Sequence, residues 1–302
     1  MMPAQRRYTG DVVLSLMTGA AVLLIVFLLA FLLLQIFSGG IGPISWKFLS
    51  TAPSKGGLAG GIWPAIFGTM LLVLLMTMAA VPMGVATAIY LHEYARPDAW
   101  LTRLVRAAVA NLAGVPSIVF GLFGVGFFIE TVGSKIDDIF YDGDLLYGKP
   151  AILWAALTLA LLTLPVVIVA TEEALKAIPL DHREGSLALG ATKWQTIVRV
   201  ILPQALPGIL TGAILAVSRG AGEVAPILFT GAAYYLPFLP AHPTDQFMHL
   251  GYHVFVLATQ SPDVNATLPN LYATVLVLLV LTFLLNIAAV IVRARVRARL
   301  RN

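Results

Sequence analysis

The chain has 302 residues, of which 59% are hydrophobic and only 11% are charged, and its mean hydropathy is +0.90. These values lie outside the range of soluble domains and predict an all-α integral membrane protein. The absence of cysteine excludes disulfides and cysteine-ligated metal sites, and the five histidines lack a metal-ligand spacing. No metal site is therefore predicted.

Six apolar stretches are long enough to cross about 30 Å of hydrocarbon, which takes about 20 helical residues. They are residues 12–37, 62–91, 107–130, 151–170, 207–236 and 271–292. The chain is accordingly expected to form a single transmembrane domain, 1–302, with its core at about 60–292. This domain includes short terminal segments at 1–11 and 293–302.

Lysines and arginines are distributed unevenly between the connecting segments. Of the 19, 14 lie in the terminal segments or in the loops on the same side, four lie on the opposite side and Arg219 lies within a span. The positive-inside rule then places both termini and the 181–203 loop in the cytoplasm. The basic tail 293–302 is expected to contact anionic lipid headgroups rather than nucleic acid.

The second and third spans contain proline and glycine, which allow membrane helices to bend or to approach closely. In the second span Pro82 and Gly84 are expected to interrupt the helix. In the third span the residues concerned are Pro116, Gly121 and Gly124. Close packing of helices is the plainest interpretation of these residues.

The 181–203 loop is the longest charged interruption between two apolar regions. Asp181 is a candidate N-cap with Glu184 three residues later, and Gly190 is a candidate helix stop. A second short helix is expected to end at Pro203. The loop therefore predicts two short helices hinged at Gly190, outside the bilayer.

The fifth span contains Ser218-Arg219-Gly220-Ala221-Gly222-Glu223-Val224-Ala225-Pro226. A charge at the bilayer centre costs roughly 2.5–3.5 kcal/mol on insertion scales, so Arg219 and Glu223 are expected to face protein or water. Their spacing predicts one shared helix face. Arg219 could bind a tetrahedral oxyanion with Glu223 as counter-ion or proton acceptor; an ion pair that only fixes helix register is the alternative.

Two patterns resemble known families. Residues Glu184 to Pro203 resemble the E-A-A-x3-G-x9-I-x-L-P signature of ATP-binding-cassette (ABC) importer permeases. The strings at 60–69, 82–94, 114–124 and 218–226 resemble the permeases of phosphate importers, the PstA-type subunit more than the PstC-type. In the last string Gly220 and Val224 replace an alanine and a threonine of the family pattern.

The resemblance implies a type I ABC importer permease fold with six transmembrane helices and coupling helices between spans four and five. It implies ATPase docking through Glu184, Gly190, Ala191, Leu202 and Pro203. It also implies a substrate pathway at Ser218, Arg219 and Glu223, with Pro82, Gly84, Pro116, Gly121, Gly124 and Pro226 in helix packing or gating.

The implied partners are a PstC-type permease, two cytoplasmic ATP-binding subunits and an extracytoplasmic phosphate-binding protein. The chain has no G-x-x-x-x-G-K-[ST] motif, so ATP and Mg would be used by the partner ATPase and no cofactor by this chain. The resemblance therefore implies a subunit of the bacterial inner membrane that is not itself an enzyme.

Two alternatives stay open. An ABC permease for another oxyanion would use the same elements. A proton-coupled secondary transporter would use Glu223 as its proton carrier and the loop as a passive linker. The segment 247–257 is expected to be a short amphipathic element that contacts a substrate-delivery protein.

Overall fold

The computed structural model describes residues 4–54, 59–261 and 263–299, with side chains from Gly10 onward. Lys55 and Arg301 lie outside the described residues, as do the side chains of Arg6 and Arg7. The predicted terminal segments 1–11 and 293–302 are thus described only in part.

The described part of the chain is mostly helical, with one small hairpin. Its elements are α1 (Ala4–Gly40), α2 (Trp46–Ser50), β1 (Pro53–Ser54), β2 (Ala59–Gly60), α3 (Trp63–Ile89), α4 (Trp100–Leu112), α5 (Ser117–Phe123), α6 (Ser134–Phe140), α7 (Ile152–Lys176), α8 (Leu180–Ala188), α9 (Lys193–Thr196), α10 (Leu202–Gly220), α11 (Ile227–Thr230), α12 (Leu250–Thr259) and α13 (Val264–Arg299). π-Helical segments continue α3 (Tyr90–Tyr94), join α5 to α6 (Gly124–Gly133) and join α9 to α10 (Ile197–Ile201).

Six helical stretches of the described chain are long and apolar enough to cross a membrane. They are Gly10–Gly40, Trp63–Tyr94, Ser117–Phe140, Ile152–Lys176, Lys193–Gly220 and Val264–Arg299. The predicted all-α membrane fold with six spans is confirmed. The prediction that Pro82 and Gly84 interrupt the second span is wrong, because α3 passes through both residues.

The predicted third span, 107–130, is wrong at both ends, because the helical stretch runs from Ser117 to Phe140. Residues 107–112 belong to α4, an amphipathic helix that carries Arg103 and Arg106. The chain leaves the helix at Gly114, and α5 begins after Pro116. Proline disfavours the helical conformation of the residue before it, here Val115, so the two helices cannot fuse.

The predicted fifth span, 207–236, is wrong at both ends. The helical stretch begins at Lys193 and ends at Gly220. Glycines at 220 and 222 weaken the helix, and Pro226 would remove a hydrogen bond and clash with the carbonyl four residues earlier. Residues 221–226 therefore form an irregular turn before α11.

Helix α7 is the most buried span and packs against α3 on one side and α10 on the other. Small residues make the close approach possible. A Cβ added to Gly84 would lie 2.6 Å from Val167 Cγ1, and one added to Gly212 would lie 2.7 Å from Ala170 Cβ. Since lipid tails are as apolar as leucine, such van der Waals contacts hold membrane helices together.

Helix α1 lies at the edge of the bundle. Its apolar side chains are exposed along the described length, and it contacts α13. The contact is closest at Gly39 and Gly40, which lie against Tyr272. Most of this helix therefore offers an apolar surface to lipid or to another membrane protein.

A long connection, 231–249, precedes the short helix α12 at the end of the bundle opposite α8 and α9. The segment 247–257, predicted to be a short amphipathic element, is largely buried, although Phe255 is 38% exposed. Its contact with a substrate-delivery protein stays a prediction. Phe247 and Leu250 are fully buried, and the backbone N–H of Leu250 donates to Thr69 Oγ1 at 2.9 Å. The start of the segment is thus part of the protein core.

Candidate functional site

The charged pair of the fifth span lies where α10 ends. Arg219 is the penultimate residue of α10, and Glu223 lies three residues after the end of that helix. Arg219 Nε donates to Glu223 Oε1 at 3.3 Å. The expectation of a shared helix face is wrong because the helix ends between them, yet the turn still brings the two charges together.

This ion pair is accessible rather than sealed in the core. The Arg219 side chain is 38% exposed and that of Glu223 is 20% exposed. Arg219 uses one of its five N–H donors for the glutamate, which leaves donors for an oxyanion. The geometry is that of a fixed cation beside a carboxylate at the end of a membrane helix.

Ser218, the third predicted pathway residue, is turned towards α13. Its hydroxyl lies 2.9 Å from the carbonyl oxygen of Ile214 and also within hydrogen-bond distance of Asn286 Oδ1. Neighbouring residues on a helix point about 100° apart, so Ser218 and Arg219 face different surroundings. The structure thus brings Arg219 and Glu223 together and uses Ser218 to join α10 to α13.

The second span contacts the turn that follows Arg219. Gly220 lies against the side chain of Met76 in α3, and a Cβ added to Gly220 would overlap that side chain. Gly251, at the start of α12, lies against Val224, with 2.7 Å between its built Cβ and Val224 Cγ2. The charged turn is therefore packed between α3 and α12.

Two buried histidines lie in the same region, outside the spanning helices. His249 Nδ1 accepts from the N–H of Gly251 at 3.1 Å, while its Nε2 and the Nδ1 of His253 have no partner among the described residues. Burial lowers the pKa of His249 to about 3 and that of His253 to about 4. Both rings are neutral near pH 7, so neither adds positive charge beside Arg219.

The 181–203 region contains two short helices separated by a turn. Gly190 has φ +85, a conformation that favours glycine, and ends the first of them. The predicted cap at Asp181 is wrong, because α8 begins one residue earlier and its N-cap position is Pro179. A capping box occurs instead at the start of α9, between Thr192 and Gln195.

The second of these helices does not end at Pro203, contrary to expectation. A π-helical turn at Ile197–Ile201 joins α9 to α10, and Pro203 lies in the first turn of α10. The π-helical turn changes the hydrogen-bond register just before the proline, which has no N–H to donate. Leu202 packs against the cluster around Leu175, so the predicted docking residues 202 and 203 belong to the fifth span.

Apolar side chains are exposed on this pair of helices. Leu189 is 91% exposed and Trp194 is 64% exposed, and α8 has no buried residue. Glu184 is exposed, and Ala191 donates its N–H to the carbonyl of Ser186. Exposed apolar groups rimmed by polar ones are typical of a protein interaction surface.

The remaining predicted residues lie at contacts between helices. A Cβ on Gly121 would lie 3.1 Å from Cα of Pro226, and Gly124 lies against Thr158 and Thr230. Pro116 and Pro226 are the N-cap residues of α5 and α11. Within the described chain, no group of three or more histidine, cysteine, aspartate or glutamate side chains could hold a metal.

A family model covers most of this architecture. Residues 80–302 match the model of the binding-protein-dependent transport system inner membrane component. The chain belongs to this family.

Relatives and solved structures agree with that assignment. The permease is 35% identical over 295 residues to the phosphate transport system permease protein PstA of Yersinia pestis, with 97% of this chain and 92% of that protein covered. It is 33% identical to the probable ABC transporter permease protein YqgI of Bacillus subtilis (strain 168), covering 90% and 91%. A chain in the structure of a bacterial alginate ABC transporter has a TM-score of 0.69 at 16% identity, covering 95% of each chain.

Family membership fixes the coarse role of the permease. It is a multi-pass inner-membrane subunit of a type I ABC importer, with six spans. It is a transport subunit rather than an enzyme, because ATP hydrolysis belongs to separate subunits. The family also implies two kinds of partner, an ATPase and a substrate-binding protein.

The sequence did not indicate two ion pairs near the α8–α9 loop. Arg183 Nη2 lies 3.1 Å from Glu93 Oε1, and Arg106 Nη1 lies 3.2 Å from Glu172 Oε2. The partners are 90 and 66 residues apart in the chain, so no local spacing relates them. The sequence indicated only, through the predicted orientation, that the four residues of these pairs lie at the same face of the membrane.

Proposed function

We propose that the chain is a PstA-type permease subunit of an ATP-driven inorganic phosphate importer. The observation that carries the proposal is the accessible Arg219–Glu223 pair at the end of α10, in the segment that resembles phosphate permeases. The likeness to the PstA protein of Yersinia pestis over nearly the whole chain supports it.

The proposed chemistry at this site is recognition of a partly protonated oxyanion. Arg219 offers a planar fork of donors that fits two oxygens of a tetrahedral anion. Glu223 is its counter-ion when the site is empty, and it accepts a hydrogen bond from the proton of a monoprotonated phosphate when substrate is present. Sulfate has no such proton at neutral pH, so the carboxylate would repel its negatively charged oxygens.

The proposed orientation puts the α8–α9 loop and both termini in the cytoplasm. It rests on the 14 basic residues on that side against four on the other. The exposed surface formed by Glu184, Leu189 and Trp194 then faces the ATPase. Gly190 and Ala191 form the turn within that surface.

The proposed complex contains a PstC-type permease as the other half of the pore. It also contains a dimer of ATP-binding subunits, which use ATP and Mg, and an extracytoplasmic phosphate-binding protein. The long exposed face of α1 gives this chain a large apolar surface for a membrane partner. No cofactor is assigned to the chain itself.

The test is phosphate uptake by the reconstituted complex, in proteoliposomes that contain ATP. Arg219→Gln is expected to abolish uptake, because it removes the cation while keeping a polar side chain. The control is Arg295→Gln, an exposed arginine on α13, which is expected to keep uptake. Uptake by the wild type should resist an excess of sulfate.

Three results would contradict the proposal. Full uptake by Arg219→Gln would remove Arg219 from the pathway. Competition by sulfate or molybdate would indicate a permease for another oxyanion. Uptake that needs no ATPase and stops when the proton gradient is collapsed would indicate a proton-coupled transporter, in which Glu223 carries the proton.

A further inference from the structure

Glu93 lies in the last turn of the second span, inside the π-helical segment Tyr90–Tyr94. Its side chain is only 10% exposed. A carboxylate in such a place is stable when it is paired and hydrogen-bonded, because an unpaired buried charge is costly. His92 Nε2, on the same helix, lies 3.8 Å from Glu93 Oε1, and the closer partner, Arg183, comes from the α8–α9 loop.

Helix α8 holds the side chain of Glu93 through Arg183. The guanidinium donates to Glu93 Oε1 from Nη2 at 3.1 Å and from Nε at 3.3 Å. It also donates to the carbonyl oxygens of Leu175 at 2.9 Å and Ile178 at 3.0 Å, at the end of α7. All three guanidinium nitrogens therefore have partners, and Nη2 also lies 3.3 Å from His92 Nε2. The Arg183 side chain is only 14% exposed, so the site is largely shielded from water.

Helix α9 holds the backbone of the same residue. Lys193 Nζ donates to the carbonyl oxygen of Glu93, and its ammonium lies 4.9 Å from the centre of the Tyr94 ring. The hydroxyls of Ser186 and Thr196 lie 2.9 Å apart and join α8 to α9. Both helices of the loop thus attach to one residue of the second span.

The second span leads from this attachment to the candidate substrate site. Along α3, Gly84 lies against Val167 of α7, and Met76 lies against Gly220, next to Arg219. Glu93 and Met76 are 17 residues apart, or about 26 Å along a helix at 1.5 Å per residue. A continuous packed path therefore connects the loop to the charged turn.

We propose that Glu93, with Arg183 and Lys193, fixes the α8–α9 loop to the second span, so that the two move as one body. The inference rests on the proposed function, in which an ATPase moves the loop. Movement of the loop then displaces Met76 against Gly220 and changes access to Arg219. Arg183 and Glu93 are positioning residues; neither contacts substrate.

The first experiment measures phosphate imported per ATP hydrolysed by the reconstituted complex. Glu93→Gln and Arg183→Gln are each expected to lower this ratio about tenfold, within the usual range of coupling between sites, while ATP is still hydrolysed. The double variant is expected to have about the same ratio as Arg183→Gln alone, since both single changes remove the Glu93–Arg183 interaction and Arg183→Gln also removes the bonds to Leu175 and Ile178.

The matched control is the Glu173–Lys176 pair at the end of α7. The Glu173 Oε1–Lys176 Nζ distance is 2.7 Å, but the side chain of Glu173 is 64% exposed and that of Lys176 is 49% exposed. Glu173→Gln and Lys176→Gln are expected to leave the ratio unchanged, because exposed pairs contribute little. An unchanged ratio in Glu93→Gln and Arg183→Gln as well would overturn the proposal.

The second experiment does not depend on the transported substrate. Because the chain contains no cysteine, spin labels can be placed at Met78→Cys on α3 and Leu187→Cys on α8, both exposed positions. In the assembled complex, the distance between the labels is expected to stay single and narrow with and without ATP. In Glu93→Gln it should broaden or change when ATP is added.

The two experiments separate the two ideas. A complex that hydrolyses ATP but moves no phosphate would contradict the proposed function, and the label distance would still test the attachment. A label distance that changes with ATP in the chain with Glu93 intact would overturn the attachment, whatever the substrate.

Discussion

Arg219 shows how a few small residues build a charged site inside a membrane protein. The helix that carries it ends at Gly220, and the turn that follows keeps Glu223 3.3 Å from its guanidinium. Gly220, the last residue of the helix, lies against the side chain of Met76, which a Cβ at this position would overlap. A larger residue at this position would therefore require the flexible Met76 side chain to move.

Two glycines of the third span test which small residues are needed for packing. Gly124 lies against Thr158 and Thr230, whereas Gly126 has no neighbour within 4 Å of a built Cβ. Gly124→Ala is expected to lower the free energy of unfolding by about 1–3 kcal/mol, because extra volume in a packed contact forces neighbours apart. Gly126→Ala is expected to be neutral or slightly stabilising.

The measurement is thermal unfolding of the two purified variants in the same detergent. Because both glycines lie in the π-helical segment Gly124–Gly133, they share a backbone environment, and the comparison isolates packing. Equal unfolding temperatures for the two variants would mean that the close contact at Gly124 carries no packing energy.

At the scale of elements, the sequence predicted what depends on local composition. Six apolar stretches, the turn at Gly190 and the closeness of Arg219 to Glu223 all follow from hydropathy, glycine and charge. The third and fifth spans were placed wrongly because hydropathy continues across Gly114–Pro116 and beyond Gly220, while backbone chemistry ends the helices there.

Contacts between distant segments could not be predicted in the same way. The buried 247–250 segment is apolar enough for an interface, but its contact with Thr69 depends on how α3 and α12 pack. The Glu93–Arg183 pair joins residues 90 positions apart. One sequence without its relatives contains no signal that selects this partner from the other arginines on that side.

The loop between α8 and α9 allows a test of backbone conformation alone. Gly190 has φ +85, and a Cβ there would meet no atom within 4 Å. Gly190→Leu is expected to strain the turn by about 1–2 kcal/mol and to reduce phosphate import per ATP. Gly190→Asn, of similar size, is expected to retain most of the import, because asparagine tolerates positive φ.

Import per ATP by the reconstituted complex is again the measurement. The control is Gly185→Ala inside α8, where a Cβ has open space and alanine favours the helix. Equal losses in the leucine and asparagine variants would show that the turn is sensitive to any side chain rather than to its conformation.

For the whole molecule, the proposed orientation assigns a different partner to each end of the helical bundle. The exposed apolar surface at Leu189 and Trp194 lies at the end of the bundle where basic residues are concentrated. The opposite end carries the connection 231–249 and an exposed aromatic side chain, Phe238. An importer needs an ATPase at the first end and a substrate-delivering protein at the second.

Accessibility of single cysteines can test that orientation in intact cells, since the chain has none of its own. Phe238→Cys, at a position 59% exposed, is expected to react with a membrane-impermeant maleimide added outside the inner membrane of spheroplasts. Leu189→Cys, at a position 91% exposed, should react only after the membrane is permeabilised, and more weakly when the ATPase subunits are bound. The wild-type chain treated in the same way is the control, because it contains no cysteine that could react with the maleimide. Labelling of Leu189→Cys in sealed spheroplasts would place the α8–α9 loop outside and so separate it from any cytoplasmic ATPase.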